Sequence, residues 1–341
     1  MTPASPSDRL ARGPPARAAP AAGGGWRREK PLPAHDRRPH PGIFRGLAAC
    51  LLAISTGAAA TLLAPSPAQG QADPAARAMN QPVEPFRILG NLYYVGASDV
   101  TAFVISTDRG LILLDGGFSE TAPQIRDNIA RLGFRLGDVR ILLNSHAHSD
   151  HAGGLAQLKA WTGARLLASV GDAPLLAAGG HGDPVFGNKL PFPPVAVDHL
   201  LRDGEPVRLG DTTLTAHVTA EHTPGCTTWT MRVADAGRRY DVVFVCSTTV
   251  LPGVRLADRP TYPGIQEDFA RTFAALAALP CDVFLGSHAS FYDGIAKARR
   301  LRAGEQPNPF VDPQGYRAYL VRAEAAFRDR LKAERGAVTP P

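Results

Sequence analysis

Residues 146–151 read His-Ala-His-Ser-Asp-His. Four side chains able to bind a metal thus fall within six positions, a density that packing gives no reason for. His146 and His148 stand two apart and can point into one cavity. Asp150 and His151, on the turn that follows, can serve an adjacent position. Imidazole and carboxylate together suit zinc without any thiolate. Further histidines occur at His181, His199, His217, His222 and His288. A lone histidine is more often a surface or satisfied core residue than a ligand, so each needs a second signal. His288 has one: Ile141-Leu142-Leu143-Asn144-Ser145-His146-Ala147 is echoed by Val283-Phe284-Leu285-Gly286-Ser287-His288-Ala289. Both are apolar runs ending in Ser-His-Ala, and the end of a strand is a rigid platform for a ligand.

The elements that must hold these residues follow from periodicity. Leu92–Val95, Ala102–Ser106, Leu111–Leu114, Val139–Leu143 and Leu166–Ala168 are predicted strands. So are Pro206–Leu209, Leu214–Thr219, Thr228–Val233, Asp241–Val245 and Val283–Leu285. Helices are expected over Glu120–Leu132 (Ser119 or Thr121 as cap, Gly133 as stop), Ala152–Trp161 and Ala173–Ala178. Others are expected over Ile265–Leu279, Ile295–Leu301 and Gln314–Ala333. Two clusters of strands, each followed by helices, imply an α+β fold of two packed sheets covered by helices. Residues 179–194 carry only loop signals, and loops of that length in compact domains are usually functional.

The first 72 residues stand apart. Residues 1–42 are rich in Ala, Pro, Gly and Arg, without an apolar period, and read as disordered. Residues 46–64 are apolar and uncharged, preceded by Arg37, Arg38 and Arg45 and followed by small residues. That order predicts a secretory signal cut near Ala68–Ala72 rather than a stable membrane anchor, because so many small residues make a weak span. Leu47-Ala48-Ala49-Cys50 opens the apolar stretch instead of following it, so lipidation is not expected. Nine basic and three acidic residues in 1–72 account for the whole formal charge of +6. The remainder, one domain over 73–341, is neutral and gives no reason to expect a nucleic-acid partner. Export implies a periplasmic, oxidising compartment for Cys226, Cys246 and Cys281. If Val233 faces Tyr240 or Asp241 across a hairpin, Cys226 lies within a residue or two of Cys246. A disulfide between them is then expected, with Cys281 left over.

The cluster resembles the H-x-H-x-D-H signature of the metallo-β-lactamase superfamily. Leu113-Leu114-Asp115-Gly116-Gly117 is similar to that family's early strand and turn. Glu221-His222-Thr223-Pro224-Gly225 is similar to its H-T-P-G segment, and Gly286-Ser287-His288 to its last ligand. The resemblance covers roughly residues 86–336 and implies a four-layer αββα sandwich with two Zn2+ ions. It assigns His146, His148 and His222 to the first zinc and Asp150, His151 and His288 to the second. Each set of three leaves a position open, as catalytic zinc requires. His199 and His217 match no ligand position and are expected to be structural. His181, in the long loop, is a candidate substrate contact.

After Asp241–Val245 most hydrolases of the superfamily carry a metal-bridging Asp; here the run is Cys246-Ser247-Thr248-Thr249. A Ser247 at that position resembles the third subclass of metallo-β-lactamases. One residue of register would instead put Cys246 there as a thiolate ligand. The resemblance implies hydrolysis of penicillins, cephalosporins and carbapenems by a metal-bound hydroxide, conferring antibiotic resistance. Asp150 would orient the nucleophile, and Ser247 and Thr249 would bind the substrate carboxylate. No G-x-S-x-G frames Ser247 as a nucleophile. The turn 96–99 and the loop 179–194 would wall the groove, and a monomer is favoured. The alternatives are a hydrolase of the same fold acting on a lactone, thioester or phosphodiester, and a non-catalytic periplasmic zinc-binding protein.

Overall fold

The structure, a computed structural model, describes residues 73–338. The expected signal and cleavage region lie outside the described residues. The chain begins with α1 (Pro74–Met79) and four strands, β1 (Phe86–Leu89), β2 (Leu92–Tyr94), β3 (Phe103–Thr107) and β4 (Gly110–Leu114). Then come α2 (Thr121–Arg131), β5 (Val139–Leu143), α3 (Ser149–Ala152), α4 (Leu155–Thr162), β6 (Arg165–Ser169) and α5 (Ala173–Ala177). A second set of strands follows: β7 (His199–Leu201), β8 (Pro206–Leu209), β9 (Thr212–Val218), β10 (Thr227–Asp235) and β11 (Arg238–Val245). The last elements are α6 (Ile265–Ala278), β12 (Val283–Gly286), α7 (Gly294–Arg302) and α8 (Pro313–Val338).

The strands form a seven-stranded sheet in the order β1-β2-β3-β4-β5-β6-β7 and a five-stranded sheet in the order β12-β11-β10-β9-β8. Pairing is antiparallel from β1 to β4 and parallel from β4 to β7. The second sheet is antiparallel except for β11 and β12. Alternation of side chains builds the layers. Phe103, Ile105, Ile112, Leu114, Ile141 and Leu143 point into a core shared with Leu214, Trp229, Met231 and Phe244 of the other sheet. Val104, Leu111, Leu113 and Leu142 point the other way, onto Ala122, Ile125, Ile129, Leu155 and Leu158 of α2 and α4. Strands apolar on both faces are what a sheet buried on both sides demands. On the far side, Ile265, Phe269 and Phe273 of α6 pack with Phe327 of α8. The result is the expected four-layer αββα sandwich.

Three departures from the sequence reading have local causes. The helix expected over Ala152–Trp161 is two helices, broken at Gly153-Gly154. A Cβ at Gly154 would sit 2.2 Å from the Gly116 carbonyl, and one at Gly116 would sit 2.8 Å from Leu155 N, so two backbones touch here as only glycines allow. Neither Ser119 nor Thr121 caps α2: Ser119 Oγ donates to Gly153 O and Thr121 Oγ1 pairs with Asn80 Oδ1. Strands β1 and β7, and the short α1, had no clear signal. Four residues of FRIL and three of HLL are too few to display a period.

Candidate metal centre

The chemistry-bearing residues collect where strands of both sheets end. His146 and His148 follow β5, Asp150 and His151 lie on α3, His222 precedes β10, and His288 follows β12. Two cross-sheet bonds hold the first of these ends in place. Thr227 N donates to Ser145 O at 2.8 Å, and the buried Trp229 indole donates to Asn144 O at 3.1 Å. A third joins β12 to the first sheet, with Thr101 N donating to Ser287 O at 3.0 Å.

Donor atoms of His146, His148 and His222 lie within 4.8 Å of one another. His151 Nε2 is 3.2 Å from Asp150 Oδ2 and 3.2 Å from His288 Nε2, and His288 Nε2 is 3.5 Å from Asp150 Oδ2. Donors about 2.0–2.1 Å from one zinc at tetrahedral angles are roughly 3.3–3.4 Å apart. The second triad already has those edges. The two triads adjoin, with the His146 and His151 rings 4.3 Å apart.

Each ring has a polar group behind it, and for His222, His288 and His146 that group is within hydrogen-bond reach, the arrangement metal-ligating histidines use. His222 Nδ1 is 2.9 Å from Glu221 Oε2, and His288 Nδ1 is 3.0 Å from Asp99 Oδ2. His148 Nε2 is 3.1 Å from Asp183 Oδ2, His151 Nδ1 is 3.6 Å from Asp115 Oδ2, and His146 Nδ1 is 3.1 Å from Ser145 Oγ. His222 Nε2 and His288 Nε2 are thereby left for a cation. Burial and the neighbouring imidazoles hold His146 well below its ordinary pKa, so it is a neutral donor. For Asp150 burial pushes upward, but His151, His288 and His148 outweigh it and hold the carboxyl well below its usual range. For His151 burial pushes down, yet Asp150 and Asp115 raise it to about 10. A metal entering here would displace that proton. The donor set and its spacing therefore fit two zinc ions.

The carboxylates behind the rings were the residues that sequence reasoning missed. Asp99 was expected only as part of a wall; it also accepts from Ser290 N at 2.8 Å, tying the first sheet to the His288 turn. Asp183 accepts from Val185 N and Phe186 N, both at 2.7 Å, so the long loop is folded around a carboxylate that also meets His148. The Asp-Pro pair in that loop was the available signal. Asp172, fully buried beyond β6, accepts from Ala147 N and Gly225 N at 2.9 Å and from Thr223 Oγ1 at 3.2 Å. It stitches the segment carrying His146 and His148 to the one carrying His222. Asp115 takes Ser145 N at 2.6 Å from a left-handed backbone, φ 66°.

A cavity of about 400 Å³ opens over the two triads. His146, His148, Asp150, His222, His288, Ser247 and Thr249 reach it, and Phe118, Phe186, Leu190, Leu251 and Phe291 give it apolar walls. Ser247 Oγ accepts from Thr249 N at 3.1 Å. Cys246 does not face the cavity: it is bonded to Cys226, with Cα atoms 5.9 Å apart. The hairpin register expected from sequence is the one observed, Val233 opposite Tyr240. A bridged sulfur is no thiolate, so the register that would make Cys246 a ligand in this oxidised chain is excluded. His181 is exposed and does not line the cavity. Its loop turns on Gly179, Gly180 and Gly182, all at positive φ, and presents Asp183 and Phe186 instead. His199 pairs with Glu205 and His217 with Thr230, both away from the triads. A larger groove of about 890 Å³, lined by Thr213, Thr215, His217 and Thr230, carries none of the six donors.

Comparison with known proteins agrees with this geometry. The native FEZ-1 metallo-β-lactamase from Legionella gormanii is 42% identical, with a TM-score of 0.74 over 75% of this chain and 98% of that one. BJP-1, a subclass B3 metallo-β-lactamase of Bradyrhizobium japonicum, is 42% identical, with a TM-score of 0.73 over 78% of this chain and all of that one (100%). A hydroxyacylglutathione hydrolase of Methylococcus capsulatus is 29% identical over 150 residues, 44% of this chain and 46% of that one. A probable metallo-hydrolase of Burkholderia pseudomallei is 32% identical over 155 residues, 42% and 48% of the two chains. The chain thus spans about half the length of these two curated relatives. The family model of the metallo-beta-lactamase superfamily matches residues 95–288, which include all six donors. This chain, with its αββα sandwich and strong likeness to subclass B3 structures, belongs to the metallo-β-lactamase superfamily and is a hydrolase of that fold.

Proposed function

We propose that this hydrolase is a zinc-dependent β-lactamase that opens the lactam amide of penicillins, cephalosporins and carbapenems, and so confers resistance to them. The observation that carries the reading is the six-donor set with Ser247, not a carboxylate, at the end of β11 and in the wall of the same cavity. In support, the two solved structures above are of metallo-β-lactamases. His146, His148 and His222 would hold one zinc; Asp150, His151 and His288 would hold the other. When bound, the ions would supply Lewis acidity and lower the pKa of a water to about 7.

The chain's own residues do the rest. Glu221 and Asp99 fix the tautomers of His222 and His288, and Asp183 sets a negative charge beside His148. Asp150, held ionised, would orient the water and relay the proton released as the amide carbon is attacked. That proton is then available to the lactam nitrogen as the C–N bond breaks. The Ser247 hydroxyl accepts from Thr249 N, which leaves its own proton free to donate to the substrate carboxylate. Phe118, Phe186, Leu190 and Phe291 receive the apolar substituents and exclude bulk water.

A second reading, hydrolysis of a thioester, is favoured by one observation, the partial match to hydroxyacylglutathione hydrolase. Nitrocefin and a carbapenem, assayed with purified protein before and after chelation, decide between the two. Turnover lost with the chelator, restored by zinc and indifferent to serine-acylating inhibitors is expected. Rapid thioester or lactone cleavage with no β-lactam turnover would falsify the first reading. Bound zinc with no turnover of any of them would leave a zinc-binding protein. We further propose a monomeric domain over 73–341, delivered to the periplasm by a cleaved leader. Mass spectrometry of periplasmic material should find a start near residues 69–73.

A further inference from the structure

The Cys226–Cys246 bridge lies directly under the first histidine triad. Both residues are buried. Cys246 Sγ is 3.6 Å from His146 Nδ1, and Cys226 Sγ is 3.0 Å from Glu221 Oε1, the carboxylate whose other oxygen meets His222. A bridged sulfur has no proton to donate and no charge to offer a cation, so in the oxidised chain these are contacts and nothing more.

Reduction changes the chemistry of the same atoms. A dithiol supplies two electrons and two protons: the S–S bond breaks, each sulfur becomes a thiol, and the dithiol leaves as its own disulfide. Once the sulfurs part to van der Waals distance, each new S–H has an acceptor on its own side, Glu221 Oε1 for Cys226 and Ser145 O, 3.3 Å away in the bridged chain, for Cys246. The two sulfurs and a ring nitrogen of His146 also lie within 4.8 Å of one another, a second group of metal-capable donors beside the two triads.

We propose that reduction of Cys226–Cys246 creates a thiolate metal site, formed by Cys226, Cys246 and His146, that takes a soft d10 cation and competes with the first triad for His146. Soft sulfur ligands select such cations, and two thiolates with one imidazole are a recurrent zinc donor set. The competition follows from the imidazole itself, because a neutral ring has one lone pair to give. A ring turned toward the sulfurs is lost to His148 and His222. Metal binding releases the two thiol protons to solvent as the metal–sulfur bonds form. The inference rests on the proposed function only in taking His146 as a donor of the first triad; the thiolate site itself needs no β-lactam chemistry.

The test uses chelator-stripped protein, reduced with a dithiol, freed of it under anaerobic conditions and titrated with Cd2+. Alkylation and mass spectrometry score the opening of Cys226 and Cys246, and circular dichroism scores the fold. A sulfur-to-cadmium charge-transfer absorption is expected for the reduced protein, saturating by about two equivalents because the second triad takes cadmium as well. It should be absent from the oxidised protein and from the double variant Cys226→Ser, Cys246→Ser, which retains Cys281 as a control. His146→Ala should keep the absorption but weaken the affinity at least tenfold. Cys226→Ser alone, which frees the Cys246 thiol without reductant, should give a weaker band. No absorption from reduced, folded protein, the same absorption from the double variant, or loss of the fold on reduction would each overturn the proposal. None of these readouts involves substrate turnover, so the outcome is separable from that of the β-lactamase assay.

Discussion

Five imidazoles meet at this centre, and what distinguishes them is the group behind each. A carboxylate behind His222 and His288 commits one nitrogen and leaves the other for a metal. The ligands themselves were legible, because four of six fall in one hexapeptide and a fifth is marked by the Ser-His-Ala echo. Asp172 was not, since a lone Asp in a loop has no pattern until the fold brings backbone N–H groups to it, and Asp183 was marked only by the proline that follows it. Ser247 tests the functional reading at this scale. Ser247→Ala should leave zinc content unchanged and raise KM for a carboxylate-bearing β-lactam, with kcat little affected. One hydrogen bond of about 1–3 kcal/mol corresponds to roughly a five- to 150-fold effect. A loss of bound zinc instead would assign Ser247 to the metal, not the substrate. Asp172 supplies a pH test in metal-free protein. Burial lifts its carboxyl to about 6 against three hydrogen bonds that lower it. The folded state therefore keeps that proton where the unfolded chain has released it, and its contribution to stability falls as pH rises from about 4 to about 6. Denaturant unfolding across this window should show Asp172→Asn losing less stability with rising pH than the parent chain.

At the scale of elements, placement depends on how close two backbones come. The turn after β4 and the break between α3 and α4 touch through Gly116 and Gly154, and α3 carries Asp150 and His151. The sequence reading placed one helix over Ala152–Trp161, ended by Gly163. The break is set by a tertiary contact, which periodicity cannot register. The strands of the core were legible for the opposite reason. They are apolar on both faces and bounded by turns, and the β10–β11 register followed from counting across the hairpin. Gly154→Ala tests the contact. A methyl group 2.2 Å from the Gly116 carbonyl must push α3 and α4 away from β4. A stability loss of about 1–3 kcal/mol is expected from overpacking. The second zinc should be lost before the first, because Asp150 and His151 move while His222 does not. Zinc content by mass spectrometry, read beside a denaturation curve, checks both; equal loss of the two ions would contradict the account.

Across the whole molecule, the donors come from both sheets and from segments more than a hundred residues apart. The unfolded chain therefore has no comparable site. A ligand that binds only the folded state stabilises it by about 2.7 kcal/mol at a hundred times its Kd. In a domain of this size each kcal/mol shifts the melting temperature by about 2–4 °C. Stripped protein titrated with zinc should accordingly rise by about 5–10 °C for one site held at that saturation, and further when both fill. His222→Ala removes a donor from the first triad and His288→Ala one from the second. Each variant should keep part of the rise and lose the rest, whereas a site that merely decorates the surface would leave the melting temperature flat. Differential scanning calorimetry at fixed protein and graded zinc makes the measurement. The two variants also separate the roles of the ions, because the scan reads occupancy while nitrocefin turnover reads chemistry. If both half-sites keep their stabilisation but turnover falls sharply in each, catalysis requires the pair of ions and not either one alone.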